Sequence, residues 1–190
     1  MTPDDARALI ERGIPGPGGV WADLGAGTGT FTLALAGIIG SSGIVYAVER
    51  DRDALKSLRG IAAGRSHDTA RVEVVAADFT RELPLPKLAG ILAANALHFV
   101  APAEQRPLLE RLAGLLDPGG RFLIVEYDRE RGNPWVPHPI SRARLARLAR
   151  EATLEEPTFI ASAPSAYGGD IYAAVLGPLP SHRSAPVRGK

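Results

Sequence analysis

The sequence predicts an α/β fold: a Rossmann-like, doubly wound, seven-stranded mixed sheet with helices on both faces and an antiparallel last strand. Three observations predict it. Apolar runs of strand length alternate with helical patterns from Gly18 to Tyr127. These runs are nearly continuous in apolar residues, as parallel strands covered on both faces require. The last two runs, Pro157 to Ala163 and Asp170 to Leu176, are joined only by a short turn around Ser165 to Gly169. So short a connection makes an antiparallel hairpin, while the right-handed crossover rule makes the rest doubly wound.

Each element has its own signal. Thr2 is placed to cap a short helix, with Pro3 at its first position and acids in its first turn, and Gly13 and Pro15 end it. Gly18 to Leu24 reads as a buried strand entering a Gly-rich turn. Thr30 to Ile39 is an apolar helix stopped by Gly40 to Gly43. Ile44 to Glu49 is the second strand, and Arg52 to Ala63 a helix with Leu55 and Leu58 on one face. Val72 to Ala77 and Gly90 to Ala94 are the third and fourth strands. Ala103 to Leu116 is an amphipathic helix closed by Asp117-Pro118-Gly119-Gly120, and Arg121 to Tyr127 the fifth strand. A Pro-rich loop from Asp128 to Pro139 leads to a helix from Ser141 to Ala152. Residues 1–177 are expected to form one domain. The stretch 178–190, rich in Pro, Ser and Arg, is expected to be a disordered tail.

Composition narrows the chemistry. The 190 residues carry a formal net charge of +1, so no global field draws the chain to nucleic acid or a membrane surface. There is no cysteine, which excludes disulfides, thiolate metal sites, iron–sulfur clusters and cysteine nucleophiles. The start, Met1-Thr2-Pro3-Asp4-Asp5, lacks the basic and apolar regions of a signal peptide, and the expected location is cytoplasmic.

The informative segment is Val20-Trp21-Ala22-Asp23-Leu24-Gly25-Ala26-Gly27-Thr28-Gly29-Thr30. It lies where a strand hands over to a helix, the ligand-binding position in such sheets. A dinucleotide fingerprint is Gly-x-Gly-x-x-Gly. Here the third glycine falls one place early, and Asp23 precedes the glycines. A carboxylate repels a diphosphate but attracts a cationic ligand, on a scale of ~1 kcal/mol in water and more at low dielectric. Glu49 ends the second strand, where an acid can accept from ribose hydroxyls. Asp78 and Phe79 follow the third strand, where a carboxylate can accept from an adenine amino group and a ring can cover the base. Each acid has a bland alternative as a cap, a solvated strand end or a turn former. Three acids at three successive strand ends favour a cationic nucleoside.

On these residues the chain resembles the class I S-adenosylmethionine-dependent methyltransferase family, most closely its small-molecule branches. Val20 to Thr30 resembles the first motif, Val45 to Arg50 the second and Val75 to Phe79 the third. Ile91 to Phe99 resembles the fourth, and Leu115 to Phe122 the approach to the fifth strand. The resemblance spans about residues 15 to 127. It implies S-adenosylmethionine as cofactor and S-adenosylhomocysteine as product. Asp23, Gly25, Ala26, Gly27, Thr30, Glu49, Arg50, Asp78, Phe79 and Asn95 are the expected cofactor-binding residues.

The acceptor is constrained mainly by exclusion. Asn95-Ala96-Leu97-His98-Phe99 lacks the two prolines of DNA amino-methylating enzymes, and no carboxylate cluster suggests a catechol-type Mg²⁺ site. No metal is expected. His98, after the fourth strand, is the candidate general base, with a packed loop histidine as its alternative. Tyr127 and Trp135 are candidates for the substrate pocket, Trp135 as part of a lid or as a seal on the core edge. The arginines at 142, 144, 147 and 150 read as a solvated helix face, so nucleic acid is not the expected partner. A small-molecule acceptor is expected, in a monomer or homodimer. The competing readings are an RNA or protein acceptor, a non-catalytic cofactor-binding module, a nicotinamide oxidoreductase and an aminopropyl transferase.

Overall fold

The computed structural model describes residues 1–64, 66–165 and 168–179. Helix α1 (Pro3–Ile10) starts with a reciprocal cap, in which Thr2 Oγ1 accepts from Asp5 N at 3.2 Å and Thr2 N donates to Asp5 Oδ2 at 2.8 Å. A single 3-10 turn (Glu11–Gly13) leads to strand β1 (Gly19–Leu24). Then come α2 (Thr30–Ile39), β2 (Gly43–Glu49), α3 (Arg52–Ala63), β3 (Arg71–Ala76) and β4 (Leu88–Ala94). The chain continues through α4 (Pro102–Ala113), β5 (Leu116–Asp128), α5 (Arg142–Glu151), β6 (Thr158–Pro164) and β7 (Asp170–Leu176).

The strands form one sheet in the order β3-β2-β1-β4-β5-β7-β6. All neighbouring pairs are parallel except β5 with β7 and β6 with β7. The mixed sheet with a reversed strand is therefore present as the sequence predicts. One core joins α1 and α2 to Trp21, Val45, Leu92, Leu123 and Val125. A second core, on the opposite face, joins α4 and α5 to Ala22, Leu24, Ile91, Phe122 and Ile124. Side chains at successive strand positions serve opposite faces, which is why these strands are apolar throughout.

One element differs from expectation. The helix predicted to run to Leu116 ends at Ala113, and the fifth strand already begins at Leu116. Leu88 pairs with Leu116 and Gly90 with Arg121, so residues 117–120 bulge from the ladder. The Pro-Gly-Gly sequence supplies the bend, with Gly119 at φ +82°. Of the expected tail 178–190, residues 180–190 lie outside the described residues, while Pro178 forms an isolated bridge with Leu154. Residues 166 and 167 of the predicted hairpin turn lie outside them too.

Strand order reverses between β1 and β4. A crevice opens there at the carboxyl ends of the strands, the position where open α/β sheets bind ligands.

Candidate active site

A cavity of about 1060 Å³ occupies this crevice. That is at the upper end of small-ligand pockets, which run from ~300 to ~1,000 Å³. Its floor is the turn from β1 into α2. Gly25, Gly27 and Gly29 take φ values of +70°, +54° and +95°, the left-handed region that glycine enters without strain. At Gly25 a side chain would meet Ala96 Cβ at 2.9 Å and Phe79 Cε1 at 3.3 Å. Glycine therefore keeps open the gap between the β1 turn and the loops after β3 and β4. Gly29 caps α2 without a side-chain bond, leaving the positive end of that helix facing the cavity at Thr30 and Phe31.

Glu49, at the end of β2, anchors this turn. Its Oε2 accepts from Gly27 N at 2.8 Å, and its Oε1 from Arg50 N at 2.7 Å and Asp51 N at 2.9 Å. Each carboxylate oxygen has two acceptor positions, so Oε2 keeps one for a ligand hydroxyl. Asp78, after β3, accepts from Thr80 N at 2.9 Å and Thr80 Oγ1 at 2.7 Å through Oδ1. Its Oδ2 accepts from Arg50 Nη1 at 3.0 Å. Burial pushes the Asp78 carboxyl up, but the Thr80 and Arg50 donors outweigh it and hold it below the usual carboxylate range.

Asn95 follows β4 with φ +53°, a left-handed conformation that asparagine tolerates better than most side chains. Its Oδ1 is buried without a hydrogen-bond partner, although the residue lines the cavity. An orphaned acceptor costs ~1–3 kcal/mol unless a ligand donor meets it. These residues fit an adenosyl cofactor: two acids at adjacent strand ends, an unmet acceptor, a glycine-kept gap and a helix N-terminus.

The structure brings Gly25, Ala26, Gly27, Thr30, Glu49, Arg50, Asp78, Phe79 and Asn95 to one cavity, and Tyr127 lines the same cavity among its apolar residues. Three expected residues are not on the wall. Asp23 points to the α2 face of the sheet, is 1% exposed and accepts from Thr32 Oγ1 at 2.6 Å. Burial, opposed by the Thr32 hydroxyl and reinforced by the charge of Glu49, pushes its carboxyl up to about 7. Asp23 thus lies beneath the turn, bonded to Thr32, and does not line the cavity.

His98 is 2% exposed, and its Nδ1 is 2.8 Å from Glu126 Oε2. The 3-10 turn Leu97–Phe99 rolls the His98 ring inward and sends Phe99 to the cavity instead. Trp135 is 63% exposed and is not among the lining residues.

No sequence signal marked the rest of the cavity lining. Met1, Asp5, Ala8 and Leu9 from the α1 segment belong to it, together with residues 161–165 of the β6 end and Ile171 of β7. The cap and the stop of α1 were legible, but not the place where it packs, which is against α2 and β6. The arginine face of α5 is largely committed within the chain. Arg144 donates to Gln105 Oε1, Arg150 Nη1 pairs with Glu156 at 2.9 Å, and Arg142 lies against Asp128 at 3.0 Å. Among the described residues no three His, Cys, Asp or Glu gather as a metal site, and no helix is long and apolar enough to cross a membrane.

Comparison with known proteins agrees with this geometry. The sequence pattern of a family described as a methyltransferase domain matches residues 22–120, just over half of the chain. No curated protein matches it. Among solved structures, a mitomycin 7-O-methyltransferase superposes with a TM-score of 0.67 at 19% identity, over 90% of this chain and 52% of that one. This chain thus spans about half the length of that enzyme. A 1,6-didemethyltoxoflavin N1-methyltransferase from Burkholderia thailandensis, solved with its namesake and S-adenosylhomocysteine bound, gives 0.71 at 23% identity, covering 92% of this chain and 76% of that one. The CcbJ methyltransferase from Streptomyces caelestis gives 0.70 at 18% identity, covering 93% and 90%. At such identities the likeness establishes the fold.

Proposed function

The chain belongs to the S-adenosylmethionine-dependent methyltransferase domain family, and on that premise we propose that it methylates a small, largely apolar acceptor. The observation that carries this proposal is the two-sided cavity. One side has the Gly turn, Glu49, Asp78 and Asn95, and the other has Leu9, Phe31, Phe99, Val100, Tyr127 and Ile171. When bound, S-adenosylmethionine supplies an electrophilic methyl group.

The chain's own residues then have distinct tasks. Glu49 and Asp78 accept hydrogen bonds from the ribose and the base, and Phe79 covers the base. Asn95 Oδ1 receives an N–H donor, and the N-terminus of α2 holds the carboxylate of the amino-acid moiety. The apolar wall excludes water and aligns the acceptor. In-line transfer draws much of its acceleration from such positioning. His98 has no part as proton acceptor in this scheme, because its ring lies off the cavity wall. Acceptors whose nucleophilic atom needs no base from that position are therefore favoured.

Two measurements test the proposal. Calorimetry should show S-adenosylhomocysteine binding, and labelled-methyl transfer to a metabolite extract should label a low-mass, organic-soluble product. Label found only in RNA or protein would overturn the choice of acceptor. Cofactor binding with no labelled product from any extract would point to the non-catalytic module.

A further inference from the structure

We propose that Arg50 is a positioning residue that sets the Asp78 carboxylate for nucleoside binding and is itself held in place by Glu49. Resting on the cofactor roles of Glu49 and Asp78 given above, it makes the two acids one unit. β2 and β3 are parallel neighbours, with Glu49 opposite Ala76 in register. Ala77 N donates to Glu49 O at 2.9 Å, so the two loops leave the sheet side by side. Arg50 spans them. Its backbone N–H donates to Glu49 Oε1 at 2.7 Å, and its Nη1 to Asp78 Oδ2 at 3.0 Å. Glu49, Arg50 and Asp78 all line the cavity.

Thr80 fixes one oxygen of Asp78 but leaves the other to be set. Arg50 is the donor at that second oxygen. The Arg50 side chain is 70% exposed. Ion pairs so exposed contribute little to folding, so the fold does not depend on this one. Its effect is directional: it fixes which Asp78 lone pair remains open toward the cavity. Arg50→Ala removes the guanidinium and keeps the backbone N–H to Glu49, which isolates the Asp78 contact.

The test measures affinity of the full chain for S-adenosylhomocysteine and for 5′-methylthioadenosine, which keeps the nucleoside and lacks the amino-acid moiety. Arg50→Ala should weaken both by the same factor, ~5-fold, with the melting temperature of the free protein unchanged. Arg50→Lys should recover part of the loss. Raising salt from ~0.05 to ~0.5 M should weaken the wild type toward the variant and leave the variant nearly unaffected. In an Asp78→Asn background, Arg50→Ala should cost little more. Wild-type affinity in Arg50→Ala would overturn the proposal, as would full additivity with Asp78→Asn or a loss confined to S-adenosylhomocysteine. A wild-type protein that binds neither probe would instead remove the cofactor assignment itself.

Discussion

His98 Nδ1 sits 2.8 Å from Glu126 Oε2, with both side chains sealed from solvent, and the His98 backbone N–H donates to the other carboxylate oxygen at 3.1 Å. The pair ties the turn after β4 to the end of β5. The His98 ring packs against Phe99 and Tyr127, with centroids 4.3 and 5.4 Å away, and both of those residues line the cavity. The histidine that sequence position offered as a base is therefore a support beneath two cavity aromatics.

Removing one member of this pair leaves a buried polar or charged group without its partner. His98→Ala and Glu126→Ala should each lower unfolding free energy by ~3–5 kcal/mol in denaturant titrations. The double variant His98→Leu/Glu126→Leu should regain much of that, because neither group is then stranded. Near-wild-type stability of both single variants would show that the pair does not hold the turn.

Asp23 gives a pH dependence of defined sign. The folded carboxyl keeps its proton up to about 7, whereas an unfolded aspartate loses it near ~4. Between these values the folded state binds more protons, so stability is greatest at the acid end of the window and falls as pH rises toward 7. The melting temperature should decline from pH 5 to pH 8, and Asp23→Asn, neutral throughout, should flatten that decline. Equal slopes in the two proteins would contradict a buried, proton-holding Asp23.

Gly25→Ala should abolish detectable S-adenosylhomocysteine binding. Its Cβ would come within 2.9 Å of Ala96 Cβ at a φ of +70°, both closing the gap and straining the turn. Calorimetry on a variant shown to be folded by circular dichroism checks this. Retained affinity would mean that the gap is not where the cofactor lies.

Glu49→Gln should weaken S-adenosylhomocysteine at least ~10-fold, or ~1.4 kcal/mol. The amide keeps one acceptor oxygen but turns the other position into a donor facing backbone N–H groups. Affinity within a factor of two of wild type would remove Glu49 from the ribose role.

Phe99→Ala should spare cofactor affinity and lower kcat/KM for whichever acceptor the extract screen yields. Phe99 lines the cavity, is 61% exposed, and lies on the turn after Asn95. A parallel loss of S-adenosylhomocysteine affinity would place it on the cofactor side.

The convergence of the residues proposed for the cofactor was legible in the sequence because they come from strand ends. A Gly turn after β1, Glu49 after β2, Asp78 after β3 and Asn95 after β4 must converge once the strands are parallel neighbours. The wall proposed for the acceptor was not legible. It joins Leu9, Phe99, Tyr127 and Ile171. These residues are far apart in the chain and of types that pack cores everywhere.

The alternation of apolar strands and amphipathic helices thus determined the sheet, its reversed strand and the edge where a ligand binds, because these follow from local periodicity and chain connectivity. Tertiary structure alone decided which way each side chain turned at that edge. At the end of β1 the pleat sends Asp23 under the turn to Thr32, and one 3-10 turn after β4 sends His98 inward to Glu126 and Phe99 outward. A rotation of one position along the backbone exchanges a buried polar contact for a cavity wall, and burial of the polar group with its partner fixes the choice.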